Sequence, residues 1–386
     1  MFWKFTRFEW KMVYINRKSW LLAIFLLLFF LLYFIYYSQE EQMSLQDQKR
    51  NEYQTSYAVF YHLDSGRHAI PEVAEVYERH TEIQSLLGMQ VWNIGGGSDP
   101  EQYVEDGLEI NQLRLEVHDL GNSGIPDHLI VPREDILKED ALLHYIRDND
   151  LPIESDSFMT NHYITNGLAM MSGLLFLIIL LISGNEILVY ERKHHSVLKG
   201  VPITFIKKIT SKVFVHSLFI FTFLILGIAI GYSYLSRNVE GGGFQFPVLM
   251  YQNDTYVAIS TIQYLAYLFI GFGVVTILIL LLSVLMNMMF RHAFANVLIG
   301  LGIFILPDIV RAAGFEARFL HPIKYIDINK VLSGELAAEL NNPAIDFWNA
   351  MITLGIVSLV LIVIIYAWNK YTYLQVPKNN PLTKAF

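Results

Sequence analysis

Ionisable side chains near the ends of two apolar runs are the first residues in this sequence with the potential to do chemistry, because a charge at membrane depth is usually functional. Glu186 lies in SGNEILVY, and Asp308 and Arg311 follow Pro307 near the end of another apolar run. The i,i+3 spacing of Asp308 and Arg311 predicts an ion pair on one helix face, and Pro307 predicts a helix break. For Glu186 three interpretations stay open: it reaches the membrane interface, lines a substrate path, or pairs with a basic residue at the ends of the spans.

Signatures of enzymes and of metal sites are missing from the sequence. It contains no G-x-x-x-x-G-K-[ST] phosphate loop, no G-x-S-x-G element, no H-E-x-x-H pair and no cysteine. The segment EGGGF at 240–244 lacks the lysine and the hydroxyl of a phosphate loop. We therefore predict no catalytic residue, metal or cofactor in this chain, and a process driven by ATP would need a separate ATPase subunit.

The segment YERKHHSVLKGVPITFIKKITSKV, residues 190–213, is strongly basic and lies between two apolar runs. It carries six Lys/Arg and a single acid, Glu191. Gly200 favours the end of a short helix and Pro202 the start of the next one, so a helical hairpin is expected. Positive charge that fixes topology, with lysines reaching the interface, would explain the composition without further function. A contact surface for a partner is the alternative.

Apolar runs of about 18 or more residues predict membrane-spanning helices. The first run has no cleavage pattern after it and is expected to be a retained signal anchor. The fold class expected is an all-α polytopic membrane protein with six transmembrane helices. The six spans are expected at residues 20–37, 166–188, 213–235, 257–286, 292–309 and 347–368.

The distribution of charge predicts the orientation. Lys and Arg number 15 in the four segments 1–19, 189–212, 287–291 and 369–386, whereas residues 38–164 carry 8 against 25 acids. Because short basic loops stay in the cytoplasm, both termini and the basic hairpin are expected there. The location expected is a bacterial plasma membrane.

Residues 38–164 are numerous enough for an extracytoplasmic domain, predicted to be mostly helical. Helices are expected to begin at Pro71, to run from the N-cap Asp99 to Gly121, and to cover PREDILKEDALLHYIRDNDLP. The excess of acids predicts attraction of cationic molecules, although a surface that only keeps the domain soluble is an equal alternative.

The N-terminal stretch, residues 1–19, alternates aromatic and basic side chains. This pattern is typical of a helix in the cytoplasmic membrane interface. Aromatic residues among basic ones also bind nucleic acid, but the adjacent span favours membrane lipid, and we expect no nucleic-acid partner.

This layout resembles the permease subunits of the type-2 ABC transporter family. The segments that carry the resemblance are FEWK at 8–11, Glu191, LKGVP at 198–202, Lys212 and HPIKYIDINKVLSGE at 321–335. His195 and Ser196 depart from it, since the family has Gly-Thr there, and the spacing to Pro202 is shorter. The resemblance implies a five-span core over 165–386, with a coupling hairpin at 189–212 and a re-entrant segment at 307–346.

The resemblance also implies functional residues and partners. The residues implied in coupling are Glu191, Val197, Leu198, Gly200 and Pro202, and those implied in the permease path or re-entrant segment are Glu186, Pro307, Asp308 and Arg311. A cytoplasmic ABC ATPase subunit, which would hold ATP and Mg²⁺, and a second permease subunit in a homo- or heterodimer are the partners implied. The function expected is export of an amphipathic peptide, antibiotic or lipid-like molecule. A membrane sensor or scaffold, whose outer domain binds a partner without transport, is the alternative.

Overall fold

The computed structural model describes residues 1–37, 43–63, 70–97, 99–153, 160–193, 202–237, 243–290, 292–315 and 317–375. Within these ranges the regular secondary structure is helical apart from one two-stranded sheet, which confirms the predicted all-α class. The chain divides into two compact units. Unit 1 consists of Met1–Leu32, Gly167–Gly231 and Tyr267–Phe386, and unit 2 consists of Tyr33–Asn166 and Tyr232–Ala266.

Sixteen helices are numbered here in chain order over the described residues. The helices are α1 Phe2–Ile15, α2 Arg17–Tyr37, α3 Leu45–Val59, α4 Pro71–Trp92, α5 Pro100–Asp119, α6 Arg133–Asp148, α7 Thr160–Met171, α8 Leu174–Gly184, α9 Val189–Lys193, α10 Phe205–Leu235, α11 Thr261–Met289, α12 Ala293–Ala312, α13 His321–Lys324, α14 Ile328–Leu332, α15 Glu335–Glu339 and α16 Phe347–Gln375. The strands are β1 Pro247–Gln252 and β2 Thr255–Ser260. Short helical turns add Asn93–Gly97, Asp127–Leu129 and Arg318–Leu320.

Six segments of the described chain are long and apolar enough to cross a membrane, so this is a multi-pass membrane protein. We call them spans one to six. They are Arg17–Tyr37, Leu174–Glu191, Phe205–Leu235, Thr261–Met289, Ala293–Ala312 and Phe347–Tyr371. Their number and order agree with the sequence prediction.

The apolar run expected at 166–188 is interrupted, and this is a correction to the sequence analysis. Helix α7 ends at Met171 and α8 begins at Leu174, with Gly173 between them at φ +69°. Only glycine adopts this backbone conformation readily. A Cβ on Gly173 would also lie 2.5 Å from Asp327 Oδ2. Apolar residues continue through the interruption, so hydropathy alone gives no sign of it.

Pro307 does not break span five, and that prediction is wrong. Helix α12 runs from Ala293 to Ala312 and contains Pro307. Proline removes one backbone donor from the helix, and in an apolar setting the remaining backbone hydrogen bonds favour keeping the helix intact.

Helices in unit 1 approach each other closely at glycines. A Cβ on Gly227 of α10 would lie 2.3 Å from the Leu26 carbonyl oxygen of α2, and one on Gly184 would lie 2.7 Å from Ser283 Cβ of α11. Small residues at such contacts are usual between membrane helices, because close packing replaces the hydrophobic driving force that lipid does not provide.

Unit 2 contains α3 to α6, with one apolar core among α3, α4 and α5 and a second cluster between α5 and α6. The predicted helix starts at Pro71 and after Asp99 are confirmed, and Asp99 accepts a hydrogen bond from the Gln102 amide as an N-cap should. The third predicted helix is α6. The core consists of Val59, Leu63, Val73, Val76, Ile83, Leu87, Ile110, Leu113 and Val117.

A β-hairpin that the sequence analysis missed also belongs to unit 2. Strands β1 and β2 pair antiparallel, and Asn253 and Asp254 between them have φ values of 50° and 62°. Two left-handed residues form the turn that matches the twist of a hairpin. Tyr256 in β2 donates a hydrogen bond to Glu134 of α6, and the Lys138 ammonium lies 4.7 Å from the Tyr256 ring centroid. These contacts fix the hairpin against α6.

Candidate functional site

The amphipathic helix α1 buries a polar residue on its packed face. Phe5, Thr6, Glu9 and Val13 are its buried residues, and their spacing places them along one side of a helix. Val13 belongs to an apolar cluster with Val215 and Phe219 of α10. Helix α1 therefore packs against the first half of span three, with Glu9 inside the contact.

Glu9, Lys212 and Glu191 form a buried charge cluster, which we call the α1 triad. Lys212 Nζ donates to both carboxylate oxygens of Glu9 at 2.9 Å, and it lies 3.5 Å from Glu191 Oε1. The exposed fractions of the three side chains are 6% for Glu9, 3% for Lys212 and 18% for Glu191. Glu191 Oε1 is an ion-pair partner of Lys212, but it accepts no hydrogen bond from the described residues.

The α1 triad joins three parts of the sequence that lie far apart. Glu9 belongs to α1, Glu191 to α9 after span two, and Lys212 to α10 at the start of span three. Ser211 adds a hydrogen bond of 2.9 Å to Thr6 beside the triad. The two described ends of the basic segment 189–212 are thus held to each other and to α1.

Burial dominates the electrostatics of Glu9. Loss of hydration raises the pKa of the Glu9 carboxyl above its ordinary value of 4.5, although Lys212 opposes this shift and Lys208 opposes it more weakly. Among the described residues, one lysine is shared by two carboxylates. The ionised form of Glu9 is therefore less favourable in the folded chain than in water.

Glu186 lies beside a lysine of span one. Lys18 Nζ lies 3.2 Å from Glu186 Oε2 and also donates to Asn185. Nearly half of the Glu186 side chain is exposed. Of the three interpretations, the structure shows the pair with a basic residue at the span ends.

Besides Glu191, the resemblance implies four further residues in coupling, and only one of them is described by the structure. Val197, Leu198 and Gly200 lie outside the described residues, which resume at Pro202. Pro202 is exposed. The structure thus places Glu191 in the α1 triad and leaves the proposed contact surface itself as a sequence-based prediction.

Asp308 and Arg311 do not pair with each other, which corrects the i,i+3 prediction. Asp308 contacts Lys324 in α13, and Arg311 Nη2 lies 2.7 Å from Glu339 Oε1 in α15. Each residue instead pairs with a residue of the short helices that follow, because the chain turns back after span five and brings those helices close. The two ion pairs join the end of span five to the short helices that follow it.

Asp327 connects the same short helices to the interruption near span two. Its carboxylate packs against Gly173, and Ser172 Oγ accepts a hydrogen bond from the Asn329 amide at 3.2 Å. Burial raises the pKa of the Asp327 carboxyl, while hydrogen bonds from Ser172 and the Lys330 amide oppose the shift. Ile328 meets Gly271, ten residues inside α11. The short helices therefore fold back along the membrane helices of unit 1.

A second charge cluster, the unit 2 quartet, consists of two buried cations, Lys49 and Arg114, and two partly exposed carboxylates, Glu52 and Glu139. Lys49 contacts both carboxylates, Arg114 Nη2 lies 2.6 Å from Glu52 Oε1, and Arg114 Nη1 lies 3.7 Å from Glu139 Oε2. Burial opposes ionisation of Glu52, but Lys49 and Arg114 outweigh it and lower the pKa of Glu52. Each charge in the quartet thus has two partners of opposite sign.

Sequence patterns predict these sites only in part. Glu9 is the one acid in the N-terminal basic stretch and Glu191 the one acid in the basic segment, and a lone acid among cations is a signal for a specific partner. Nothing in the spacing connects either of them to Lys212. Within the described residues no group of three or more His, Cys, Asp and Glu could hold a metal ion.

Comparisons with family models, with curated proteins and with solved structures found no match. The fold therefore defines the class, an all-α multi-pass membrane protein with six membrane-spanning segments.

Proposed function

We propose that this protein is the transmembrane permease subunit of an ATP-driven ABC exporter. The observation that carries the proposal is the α1 triad. A basic segment that served only as a topology signal would need positive charge near the membrane, but it would need no buried ion pairs to another helix. A contact surface that transmits a movement must be held firmly at both ends, because a loosely attached segment would move without displacing the membrane helices. The contacts of both ends of the segment with α1 meet this requirement.

The mechanism follows from this anchoring. Residues 194–201 would dock in a groove of the ATPase, with Val197 and Leu198 as apolar anchors. Buried apolar anchors supply most of the energy of an interface, whereas charges at its rim add little. A movement of the ATPase would then pass through Glu191 and Lys212 into α1 and span three together.

The partners and the location belong to the same proposal. The ATPase would bind ATP and Mg²⁺ on the cytoplasmic side, where both termini of this chain lie, and a second permease subunit would complete the transporter in a bacterial plasma membrane. Support for this orientation is the concentration of 15 Lys/Arg in the segments on that side.

An amphipathic substrate suits the composition of the spans better than a free ion. Few charges interrupt the spans, and Asp308 and Arg311 are each engaged with an opposite charge. A path between two subunits that admits a peptide, an antibiotic or a lipid-like molecule needs no continuous polar lining in one chain.

Co-purification tests the proposal. The chain would be co-expressed with a Walker-type ATPase chosen from the genes that neighbour its own, purified through a tag on the chain, and assayed for ATP hydrolysis in lipid nanodiscs with amphipathic peptides. We expect a stable complex whose hydrolysis rate rises with a transported peptide. An absence of complex, together with binding of a protein partner to residues 38–164, would instead support a sensor or scaffold.

A further inference from the structure

A polar pocket of about 270 Å³ lies at the end of span five in unit 1. It is lined by the last turns of α12, by Phe315 and by described residues of the segments 317–324 and 339–342. The charged side chains that line it are Asp308, Arg311, Arg318, Lys324 and Glu339. Among these described residues, three cations face two carboxylates.

Among the described residues, each charged side chain of the pocket except one has an ion-pair partner in it. Glu339 binds Arg311 through its side chain and its carbonyl oxygen, and Asp308 binds Lys324. Arg318 is exposed and forms no ion pair with any described residue. The described part of the pocket therefore carries one unmatched positive charge.

Large apolar side chains surround this cationic pocket. Phe315 is 69% exposed and Phe319 is 80% exposed, and Phe315 lines the pocket itself. Below them, α12 exposes Leu298, Ile305 and Ile309. Since α12 is long and apolar enough to cross a membrane, we expect this apolar surface to face lipid chains and the pocket to lie near the level of the headgroups.

We propose that the pocket binds the phosphate headgroup of an anionic phospholipid, with the acyl chains along the exposed face of α12. Arg318 supplies the free charge, because a guanidinium donates two parallel hydrogen bonds to a phosphate. Phe315 and Phe319 contact the glycerol and upper acyl region. A soluble anion would use only the charge and would leave the adjoining apolar surface without a role.

This inference does not depend on transport or on an ATPase, so its test uses the full chain alone. The protein is purified in a neutral detergent, stripped of lipid and titrated with phosphatidylglycerol or phosphatidylcholine, and bound lipids are counted by native mass spectrometry. We expect phosphatidylglycerol to bind more tightly than phosphatidylcholine. Arg318→Ala should weaken phosphatidylglycerol binding by about tenfold or more, the loss expected for one hydrogen bond between charged groups.

Arg237→Ala is the matched control, since Arg237 is an exposed arginine after span three that does not line the pocket. It should bind phosphatidylglycerol as the unaltered chain does. Equal binding of the two lipids, unchanged binding in Arg318→Ala, or an equal loss in both variants would overturn the proposal. In a competition experiment, glycerol phosphate at millimolar concentration could displace the bound lipid as effectively as added phosphatidylglycerol does. That result would identify a site for a free phosphate and would also overturn the proposal.

Discussion

The α1 triad and the unit 2 quartet are both charge clusters built around buried cations, but they differ in charge balance and in the exposure of their carboxylates. In the quartet each cation meets two carboxylates and each carboxylate meets two cations. In the triad one lysine serves two carboxylates. The pKa of Glu52 is accordingly lowered, while that of Glu9 is raised.

This difference separates a cluster that stabilises from one that is costly to keep. Buried ion pairs repay their loss of hydration only when the geometry and the hydrogen bonding are complete. The quartet meets that condition among its own residues, as a structural element should. Among the described residues, Glu191 Oε1 accepts no hydrogen bond and Lys212 is shared between two carboxylates, so the described triad does not meet that condition.

Removal of Lys212 should have the largest effect. Lys212→Met leaves Glu9 and Glu191 buried without their cation and should cost about 3–5 kcal/mol of unfolding free energy, measured by denaturant unfolding in mixed micelles. Adding Glu9→Gln to Lys212→Met should restore part of the loss. Lys4→Met, at an exposed position of α1, is the control, and an equal loss there would show that the triad has no special role.

Removal of Arg114 should have a smaller effect, although Arg114 is also buried. In Arg114→Met, Lys49 still contacts both carboxylates, so we expect a loss of about 2 kcal/mol, the scale of a hydrogen bond to a charged group. The same unfolding measurement applies, with Arg133→Met at an exposed pair as the control that should change little. A cost that equals or exceeds that of Lys212→Met would contradict the comparison of charge balance.

The two clusters should also respond to pH with opposite sign. The lowered pKa of Glu52 gives stability that is present above its ordinary value of 4.5 and is lost as the pH falls through the folded value. The raised pKa of Glu9 gives a contribution that is present below 4.5 and is lost as the pH rises through the folded value.

Hydrogen exchange of peptides from α3 and α1, corrected for the intrinsic dependence of exchange on pH, measures these two contributions. Acidification below pH 4.5 should reduce protection in α3, and Glu52→Gln should flatten that dependence. In α1, Glu9→Gln should remove the loss of protection on raising the pH above 4.5. Parallel curves for both helices, unaffected by either variant, would refute the assigned signs.

Local patterns were sufficient to predict the helices but not their contacts. Long apolar runs gave the six spans, and the Asp99–Pro100 pair gave a helix start, because both signals lie within a few residues. Asp308 and Arg311 show the limit of prediction from local spacing, since each forms an ion pair with a residue of a later helix and not with its neighbour at i,i+3. The pair of Glu9 and Lys212 joins residues 203 positions apart, and no periodicity encodes that.

Sequence patterns also failed to predict where the backbone departs from, or keeps to, a regular helix. Gly173 interrupts a run that remains apolar on both sides, and glycine is required there both by the positive φ and by the contact with Asp327, far along the chain. The β-hairpin escaped notice because Asn253–Asp254 is a weaker turn signal than Asn-Gly. At Pro307 a helix break was predicted but the helix continues, because the loss of one backbone hydrogen bond did not end it.

The central claim, that residues 189–212 couple this chain to an ATPase, is tested most directly by pull-down of the co-expressed ATPase with two neighbouring variants. Leu198→Asp places a charge on a proposed apolar anchor, and Lys199→Ala removes a charge from the rim. We predict that Leu198→Asp loses the ATPase or its substrate-stimulated hydrolysis while Lys199→Ala retains both, at equal membrane levels. Association and hydrolysis in Leu198→Asp equal to those of the unaltered chain would contradict the claim and reduce the segment to a topology signal.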